Sequence, residues 1–528
     1  MFDPAQFQRK ADFRGIYPNQ INEELAWLAG RYLVRFLQSR LKIKSPAVVV
    51  GRDGRLSSPQ LYAAHLQGIA AEGGMPIPCG LATTDMVQWA TGKQLDGAVA
   101  GSMISASHNP KEYNGIKMVL RDPETASLEM IRPVEHLAEY FRTDIGTAIA
   151  PAAPCAPFPA TAGLNLHRLF TAAACERAPR LKEARGRIVL DPGNGVGGML
   201  VPLVRQALTD VGAAAELFAV AEWIDGTFPT RPSNPGLPGA VKVLQAKVRE
   251  VGAILGAAFD GDADRVFLVD EHGEFVAGST LLAALAQQAV RQNRPKIVSP
   301  AIVYAAVASW LVVDSVQKAG GTPVLCKVGQ DSIKVALMKT EAVFGGESSA
   351  HYDFPDAYCL DSGLFALMTF WQMLLESGQT CSQLLGSLNP WPASGEINLL
   401  VNSSDWRGTS AAVISALDQR FQAPAENCYV LTLDGIAAYY PKVSRYPTVD
   451  DLFAIDRQHD PQGKTWRLVQ PGYAPQWWMN VRASNNEPLL RLNVEARDPA
   501  EVSSRTESLL GIIRDCCREH NATFTIEK

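Results

Sequence analysis

The chain has 528 residues and a formal net charge of −5 at pH 7, with 47% hydrophobic and 20% charged residues. This is the composition of a globular protein long enough for roughly three or four domains, and the negative charge argues against a nucleic-acid-binding protein, which would present a basic surface. The nine cysteines include no CxxC pair, which argues against a zinc site or a disulfide framework and favours a reducing cytoplasm.

Strand-like and helix-like segments alternate along much of the chain. The run AVVVGRD (47–53) predicts a buried strand, and SSPQLYAAHLQGIAAEGG (57–74) predicts a helix that begins at serine and ends at glycine. The same order recurs over 187–213 and 296–328. We therefore predict α/β domains with mostly parallel sheets.

The longest apolar run is LFALMTFWQMLL (364–375), which is interrupted by Thr369 and Gln372. It is shorter than the ~20 residues of a membrane-spanning helix and predicts a helix of the protein core. The N-terminus lacks the apolar segment of a signal peptide. We expect a cytoplasmic protein that has no membrane partner.

Three changes in composition divide the chain. A Pro/Ala-rich stretch (147–163) is typical of a linker, and further boundaries are expected near 292–296 and 388–396. After the last of these, strand-like segments and a final helix predict a small α+β domain with an irregular insertion near 440–475. The predicted domains are 1–158, 159–294, 295–392 and 393–528.

Three aspartates follow an apolar run in AAFDGDADRVFLVD (257–270). Alternate side chains share one face at a strand end, so Asp260, Asp262 and Asp264 are expected to converge. Clustered carboxylates repel one another unless a hard cation lies among them, and three oxygen donors suit Mg²⁺. A solvated acidic turn is the alternative, which the apolar flanks disfavour.

A calcium-binding EF-hand is another alternative for the same stretch, because Glu271 falls where that loop has its last ligand. The EF-hand loop also requires a glycine where this chain has Arg265. We reject this alternative on that residue and on the apolar VFLV that follows it.

The stretch GNGVGG (193–198) matches a dinucleotide-binding pattern. It follows a predicted strand, and Glu216 lies about twenty residues further on, as the pattern requires. The pattern alone is weak, and a tight turn with close helix–sheet packing is the favoured interpretation over NAD or FAD binding.

The loop RASNNEPLLR (482–491) concentrates hydrogen-bond donors beside a predicted strand. Guanidinium, hydroxyl and amide donors together suit a dianionic phosphate group. The candidate residues are Arg482, Ser484, Asn485, Asn486 and Arg491. A surface loop is the alternative.

The stretch GGESSAH (345–351) places polar side chains at alternate positions. Glu347, Ser349 and His351 are predicted to face one cavity and bind vicinal hydroxyl groups. A capped turn is an equal interpretation of these residues alone.

In GSMISASHNP (101–110), Ser107 and His108 are adjacent, and Lys117 follows closely. A serine nucleophile needs activation or prior modification, and the G-x-S-x-G elbow of many hydrolases is missing. A lone Ser–His pair is more often structural than catalytic.

Taken together, these stretches resemble the α-D-phosphohexomutase family, most closely its phosphomannomutase/phosphoglucomutase branch. The resemblance rests on four motifs in the same order and covers the chain except the irregular segment. It implies three related α/β domains with mixed, mostly parallel sheets and a smaller C-terminal α+β domain around a central cleft.

The resemblance implies a role for each motif. SASHNP matches the family's phosphoserine motif, so Ser107 is expected to carry a phosphoryl group, flanked by catalytic His108 and Lys117. The remaining matches are Arg14 of FRG as a cleft residue, Asp260, Asp262 and Asp264 as Mg²⁺ ligands with Arg265 behind them, Glu347, Ser349 and His351 as the sugar loop, and Arg482, Ser484 and Asn485 with Asn486 and Arg491 as the phosphate loop.

The implied function is interconversion of hexose 1-phosphate and hexose 6-phosphate, with mannose, glucose or both as the sugar. Phosphoserine, Mg²⁺ and a hexose 1,6-bisphosphate that serves as intermediate and activator are expected to take part. The expected partner is a small phosphosugar.

The chain departs from the family pattern at several positions. Ala305 and Val307 stand where the family has an aspartate and a basic residue, Gln330 replaces a histidine, and Asn486 replaces a threonine. Lys327 and Lys334 are candidates to compensate. A non-catalytic phosphosugar-binding protein, or one with altered specificity, is therefore the alternative function.

Overall fold

The computed structural model describes residues 12–143, 161–484 and 487–526. Positions 147–160 of the predicted linker (147–163) lie outside the described residues. The first segment forms a six-stranded mixed sheet with its helices. Its elements are β1 (Phe13–Ile16), α1 (Glu23–Leu41), β2 (Ala47–Arg52), α2 (Ser58–Ala71), β3 (Met75–Leu81), α3 (Thr84–Gly92), β4 (Ala98–Ile104), β5 (Tyr113–Arg121), β6 (Leu128–Met130) and α4 (Ala138–Thr143).

The next segment forms a five-stranded sheet. Its elements are α5 (Thr161–Cys175), β7 (Arg187–Asp191), α6 (Leu200–Asp210), β8 (Glu216–Ala219), α7 (Lys242–Val251), β9 (Leu255–Phe259), β10 (Val266–Val269) and β11 (Phe275–Val276). Strand β7 is buried after its first residue, with apolar residues at 188–190 and Asp191 at its end, as expected for an interior parallel strand covered on both faces.

The third segment again alternates helices and strands. Its elements are α8 (Gly278–Asn293), β12 (Ala301–Ala305), α9 (Trp310–Ala319), β13 (Thr322–Cys326), α10 (Gln330–Lys339), β14 (Phe344–Gly346), β15 (Tyr352–Phe354), β16 (Leu360–Asp361), α11 (Gly363–Ser377) and α12 (Cys381–Gly386). Helix α11 contains the long apolar run and is mostly buried, which confirms the prediction of a core helix.

The three α/β segments repeat one strand order. In the first sheet β2 is parallel to β3 and β4, and β5 is antiparallel to β4. In the second, β7 is parallel to β8 and β9, and β10 is antiparallel to β9. In the third, β12 is parallel to β13 and β14. The predicted related α/β domains with mixed sheets are therefore confirmed, and in each sheet the parallel pairs stand beside antiparallel ones.

The last segment is an antiparallel α+β domain. Its elements are β17 (Ile397–Asn402), α13 (Trp406–Gln422), β18 (Tyr429–Leu431), β19 (Ile436–Tyr440), α14 (Val449–Leu452), β20 (Phe453–Ala454), β21 (Trp466–Val469), β22 (Trp477–Ala483), β23 (Leu489–Ala496), α15 (Pro499–Glu519) and β24 (Thr523–Ile526). Its sheet has the order β18-β19-β22-β23-β17-β24.

The predicted insertion (440–475) is less irregular than expected. Strands β20 and β21 lie within it, and β21 pairs antiparallel with β13 of the third sheet. The backbone N–H of Lys327 also donates to Thr465. Strands β20 and β21 of this segment thus extend a sheet formed more than a hundred residues earlier in the chain.

Two compact units are distinguished within the chain. Unit 1 contains the described residues up to Ala277 together with Ser349–Leu384, and unit 2 contains Gly278–Ser348 and the described residues from Leu385 onward. Helix α8, which precedes the boundary predicted near 292–296, belongs to unit 2. No helix of the described residues is both long and apolar enough to cross a membrane, and the eight cysteines among them are all free thiols.

Candidate functional site

Each unit holds part of the predicted set of site residues. Unit 1 contains Arg14, Ser107, His108, Lys117, Asp260, Asp262, Asp264, Arg265, Ser349 and His351, and unit 2 contains Glu347, Arg482, Ser484 and Arg491. Asn485 and Asn486 lie outside the described residues. Within unit 1, side-chain contacts join Ser107, His108, Lys117, the three aspartates, Arg265 and His351 in one network. Arg14 contacts Asn109 of the serine loop.

Ser107 lies in the loop that follows β4, in the left-handed backbone region at φ 51°. Its Oγ donates a hydrogen bond to Oδ2 of Asp260 at 2.9 Å and accepts one from Arg265 at 3.2 Å. The side chain is almost fully buried. A serine held in this unfavourable conformation, bonded to a carboxylate and a guanidinium, is typical of a functional position.

Arg55 fixes the backbone of the serine loop, although its role was not predicted from the sequence. Its guanidinium is fully buried and donates to the carbonyls of Ser107, Asn109 and Pro110, each at 2.7 Å. Asp53 accepts from the same guanidinium at 3.1 Å. This ion pair satisfies the buried charges and leaves the remaining donors of Arg55 for the loop.

The aspartate loop between β9 and β10 approaches the serine loop at Gly261. A Cβ atom there would lie 2.5 Å from the carbonyl oxygen of Ser107, and one at Gly195 would lie 2.7 Å from the carbonyl oxygen of Gly261. Only glycine permits these approaches. The GNGVGG stretch therefore serves close backbone packing, as favoured from the sequence over dinucleotide binding.

The three aspartates converge, as their spacing predicted. Their carboxylates lie close enough together to hold one cation. Lys117, on β5, donates to Oδ2 of Asp262 and to Oδ2 of Asp264, both at 2.7 Å. Thr84, at the start of α3, donates to the same oxygen of Asp262 at 2.5 Å.

The charges of this cluster shift its ionisation. Burial, together with the carboxylates of Asp264 and Asp262, raises the pKa of Asp260 to about 8. Burial alone would raise the pKa of Asp262, but Lys117 holds it below its ordinary value. Burial alone would likewise lower the pKa of Lys117, yet Asp262 and Asp264 hold it above its ordinary value.

The cluster fits a divalent cation. Oδ1 of Asp262 and Oδ1 of Asp264 are buried and have no hydrogen-bond partner among the described residues. Buried carboxylate oxygens are normally paired, and oxygen donors are what Mg²⁺ prefers. Asp260, Asp262 and Asp264 would hold the ion.

Two arginines and an imidazole lie around the serine loop. Arg265 contacts Nδ1 of His108, and Arg14 donates to Oδ1 of Asn109 in the same loop at 2.7 Å. Burial, followed by the charge of Arg265, holds the pKa of His108 well below its ordinary value. His108 is therefore a neutral imidazole next to Ser107, where it is suited to accept a hydrogen bond.

In unit 2, Glu347 lies at the end of β14 and is nearly buried. Its Oε1 accepts the backbone N–H of Gly329 at 2.8 Å, and Oδ2 of Asp434 accepts the preceding N–H, that of Val328, at 2.8 Å. The two carboxylates thereby fix the chain just before α10. This loop carries Gln330, one of the departures from the family pattern.

The two arginines of the predicted phosphate loop are paired across strands. Arg482 on β22 lies opposite Arg491 on β23, and both Nε atoms are buried without a hydrogen-bond partner among the described residues. Glu396 contacts Arg491 at 3.1 Å and Arg482 at 3.8 Å. Arg491 also contacts Glu487 at 3.6 Å, and the two buried Nε donors are left open for an anion.

This pairing follows from the period of the strands. Trp477, Met479 and Val481 of β22 pack into the core of the last domain. The alternate positions, which include Asn480 and Arg482, therefore point to the opposite face of the sheet. Ser484 is buried, and its N–H closes the hairpin by donating to Leu489.

The departures from the family pattern differ in their surroundings. Val307 is buried just after β12, and Gln330 is the first residue of α10. Lys334, one turn further along α10, is 2% exposed, so it is a buried cation of the same helix. Lys327 precedes the fixed loop at Val328–Gly329.

Four contacts of the site were not predicted from the sequence. Arg55 bonds to the serine loop, Thr84 to Asp262, and Asp361 to His351. Ser233 donates to the carbonyls of His108 and Asn109 at 2.9 Å. None of the four belongs to a motif found in the sequence. Position was the available indication for Arg55, because GRDGR (51–55) spans the carboxyl end of the parallel strand β2, where sites of α/β sheets lie.

Comparisons with known proteins agree with these motifs. Family models described as phosphoglucomutase/phosphomannomutase match in order: alpha/beta/alpha domain I at 5–142, domain II at 170–273, domain III at 277–390 and the C-terminal domain at 460–510. These matches cover most of the chain.

Individual relatives extend the similarity over nearly the whole length. A phosphohexose mutase of Xanthomonas campestris pv. campestris is 32% identical over 505 residues, which is 95% of this chain and 98% of the relative. A phosphomannomutase of Escherichia coli K12 is 31% identical over 518 residues, which is 96% of this chain and 98% of the relative. The crystal structure of a phosphoglucomutase/phosphomannomutase family protein from Burkholderia thailandensis has the same fold, with a TM-score of 0.76, 24% identity and 98% of each chain covered.

Proposed function

Because the chain belongs to the phosphoglucomutase/phosphomannomutase family and is a mutase, an isomerase of carbohydrate metabolism, we propose that it interconverts the 1-phosphates and 6-phosphates of mannose and glucose. The reaction passes through phosphorylated Ser107 and a hexose 1,6-bisphosphate, which also serves as activator. The observation that carries this proposal is the Ser107 hydroxyl, bonded to Asp260 of the carboxylate cluster and to Arg265.

In the first half-reaction the bond between phosphorus and Oγ of Ser107 breaks, and a bond forms from phosphorus to the free hydroxyl oxygen of the sugar phosphate. The proton of that hydroxyl passes to His351, an imidazole 4.0 Å from Asp264. A divalent cation held by Asp260, Asp262 and Asp264 would neutralise charge on the transferred group. Arg265 stabilises the negative charge left on Oγ.

The second half-reaction reverses these bonds at the other end of the sugar. Oγ of Ser107, left unprotonated by the first half-reaction, bonds to the phosphorus of the second phosphoryl group. The bond from that phosphorus to the sugar oxygen breaks, and the proton held by His351 returns to the sugar oxygen. Arg482 and Arg491 bind the phosphate group that is not transferred. Because either end of the sugar must be accepted in turn, a pair of arginines with open donors suits this task.

Glucose and mannose differ only at C2. We assign Glu347 and Ser349 to the hydroxyls at C3 and C4, which both sugars share, so these residues do not discriminate between them. Use of both sugars follows from that assignment. The free, mostly buried thiols support a reducing compartment, and we place the reaction in the cytoplasm.

A coupled assay tests the proposal directly. Purified protein is incubated with Mg²⁺, a trace of glucose 1,6-bisphosphate, and either mannose 1-phosphate or glucose 1-phosphate in parallel. We expect both 6-phosphates to form, because the assigned contacts are common to the two sugars. Protein whose intact mass includes a phosphoryl group but which converts neither sugar would contradict the proposal and favour the alternative of altered specificity.

The phosphate-binding assignment predicts a selective loss of affinity. Replacing Arg482 with lysine keeps the positive charge but removes the planar pair of donors, so we expect KM for the sugar phosphates to rise ~10-fold or more. Arg518→Lys, at a side chain 68% exposed on the last helix, is the matched control and should leave KM within ~2-fold. An unchanged KM in Arg482→Lys would remove this residue from the phosphate site.

A further inference from the structure

His351 is held by a carboxylate that no motif predicted. Its Nδ1 lies 2.8 Å from Oδ2 of Asp361. His351 directly precedes β15, and Asp361 ends β16, which pairs antiparallel with β15 in the register Asp353↔Asp361. The hairpin thus sets the separation of the two side chains through its backbone.

The second oxygen of Asp361 is fixed from another element. Oδ1 accepts a hydrogen bond from Nε2 of Gln88 on α3 at 3.1 Å. His351, Asp361 and Gln88 are 8%, 2% and 6% exposed. A buried carboxylate bonded on both oxygens cannot rotate without breaking one bond, so its direction relative to the imidazole is fixed.

Helix α3 also contacts the carboxylate cluster. Thr84 and Gln88 are four residues apart, so they lie on one face of the helix. Thr84 donates to Asp262, while Gln88 donates to Asp361. Two consecutive turns of the helix therefore set two positions. Thr84 sets that of Asp262, a predicted metal ligand, and Gln88 sets that of Asp361 and through it that of His351.

The bond to Asp361 determines which nitrogen of His351 carries a proton. A carboxylate accepts hydrogen bonds, so Nδ1 must be the protonated nitrogen in the neutral imidazole. Nε2 is then the nitrogen available to accept a proton from a reacting hydroxyl. Without the carboxylate, both tautomers and both ring orientations become accessible.

We propose that Asp361, itself fixed by Gln88, is a positioning residue that holds the His351 imidazole in one orientation and one tautomer for phosphoryl transfer. The role rests on the proposed function, because it acts through the proton that His351 takes from the sugar hydroxyl. Asp361, His351 and Asp264 bring their ligand atoms within 4.8 Å of one another, and in the proposed role Asp361 acts through His351 rather than on the substrate or the ion. Its removal is therefore expected to affect turnover and not binding.

Asp361→Asn tests the proposal, because asparagine keeps the shape but can donate to Nδ1 and so favour the other tautomer. We expect kcat to fall ~100-fold or more with KM within ~2-fold of the wild type. Gln88→Ala, which removes the hydrogen bond to Oδ1 of Asp361 but leaves the carboxylate in place, should lower kcat ~10-fold. Asp356→Asn, at a side chain 68% exposed in the same hairpin, is the matched control and should leave kcat unchanged.

Nitrogen NMR of histidine-labelled protein supplies a readout that does not need turnover, with the His351 signal assigned from its absence in His351→Gln. We expect the Nδ1–H tautomer in the wild type and a shift toward the Nε2–H tautomer in Asp361→Asn. A folded Asp361→Asn protein with kcat within ~2-fold of the wild type, or with an unchanged tautomer, would overturn the proposal. If the tautomers are as expected but the wild type converts neither sugar, the positioning role of Asp361 stands and only the proposed function is contradicted.

Discussion

Replacing Ser107 with alanine should abolish turnover, with kcat lowered by at least ~10⁴-fold. The proposed reaction forms and breaks a bond at Oγ of this residue, and in the part of the chain that the structure describes no other hydroxyl bonds to both Asp260 and Arg265. The variant protein should also lack the phosphoryl group. Intact-mass measurement after incubation with glucose 1,6-bisphosphate, together with the coupled assay, checks both expectations.

The control for this prediction is another buried serine of the same segment. Ser102 lies on β4, and its hydroxyl is buried without a hydrogen-bond partner among the described residues. Ser102→Ala therefore removes an equal volume without removing a contact, and activity should remain within ~2-fold of the wild type. Phosphoryl transfer by Ser107→Ala at the wild-type rate would exclude the phosphoserine mechanism.

The sequence predicted the elements that depend on local pattern. The apolar strand before Asp260 and the alternation of the three aspartates require the carboxylates to converge wherever β9 lies in its sheet. The same holds for Arg482, because its alternation with Trp477, Met479 and Val481 decides the face on which it lies. Periodicity and chemistry are properties of a short stretch, so they can be read without the tertiary structure.

Contacts between distant elements could not be predicted in this way. Arg55 follows β2 and bonds to a loop more than fifty residues later, and Gln88 bonds to Asp361 across 273 positions. Neither residue has a neighbour in sequence that shares its task. Their roles depend on which strand ends meet at the edge of a sheet, and strand order is not encoded in local periodicity.

The segment 440–475 illustrates the same limit. Its proline, tyrosine and aspartate residues indicate turns, and short turns connect its elements. Strand β21 is nevertheless regular because β13 presents an open edge for pairing, with Leu325 opposite Arg467. The partner lies about 140 residues away in the chain, so the strand exists through a tertiary contact that the local sequence does not specify.

Neutralising Asp260 should remove metal-dependent activity. Asparagine has the same shape but only one oxygen, which is a weaker ligand for a hard cation, so we expect kcat at saturating Mg²⁺ to fall ~10³-fold or more. Addition of EDTA to the wild type should cause a comparable loss. The coupled assay with a series of Mg²⁺ concentrations measures both effects.

Although Asp260→Asn should lower activity, it should preserve or raise the stability of the metal-free protein. Burial and two neighbouring carboxylates disfavour the charge of Asp260 and raise its pKa to about 8, although Arg265 and Lys117 offset part of this cost. A neutral amide therefore relieves repulsion above that pH and replaces a carboxyl that is already mostly neutral below it. In EDTA, Asp260→Asn should therefore unfold at the same temperature as the wild type or higher. Adding Mg²⁺ should raise the unfolding temperature of the wild type but not that of the variant, because binding to the native state alone stabilises it.

Asp270→Asn separates this effect from the general loss of a buried carboxylate. Asp270 lies after β10 and accepts backbone N–H groups of His272 and Glu274, away from the cluster. Its variant should keep the rise in unfolding temperature with Mg²⁺. If Asp260→Asn retains that rise, or unfolds well below the wild type in EDTA, the three carboxylates are not held together against their repulsion, and the ion must be bound by other residues.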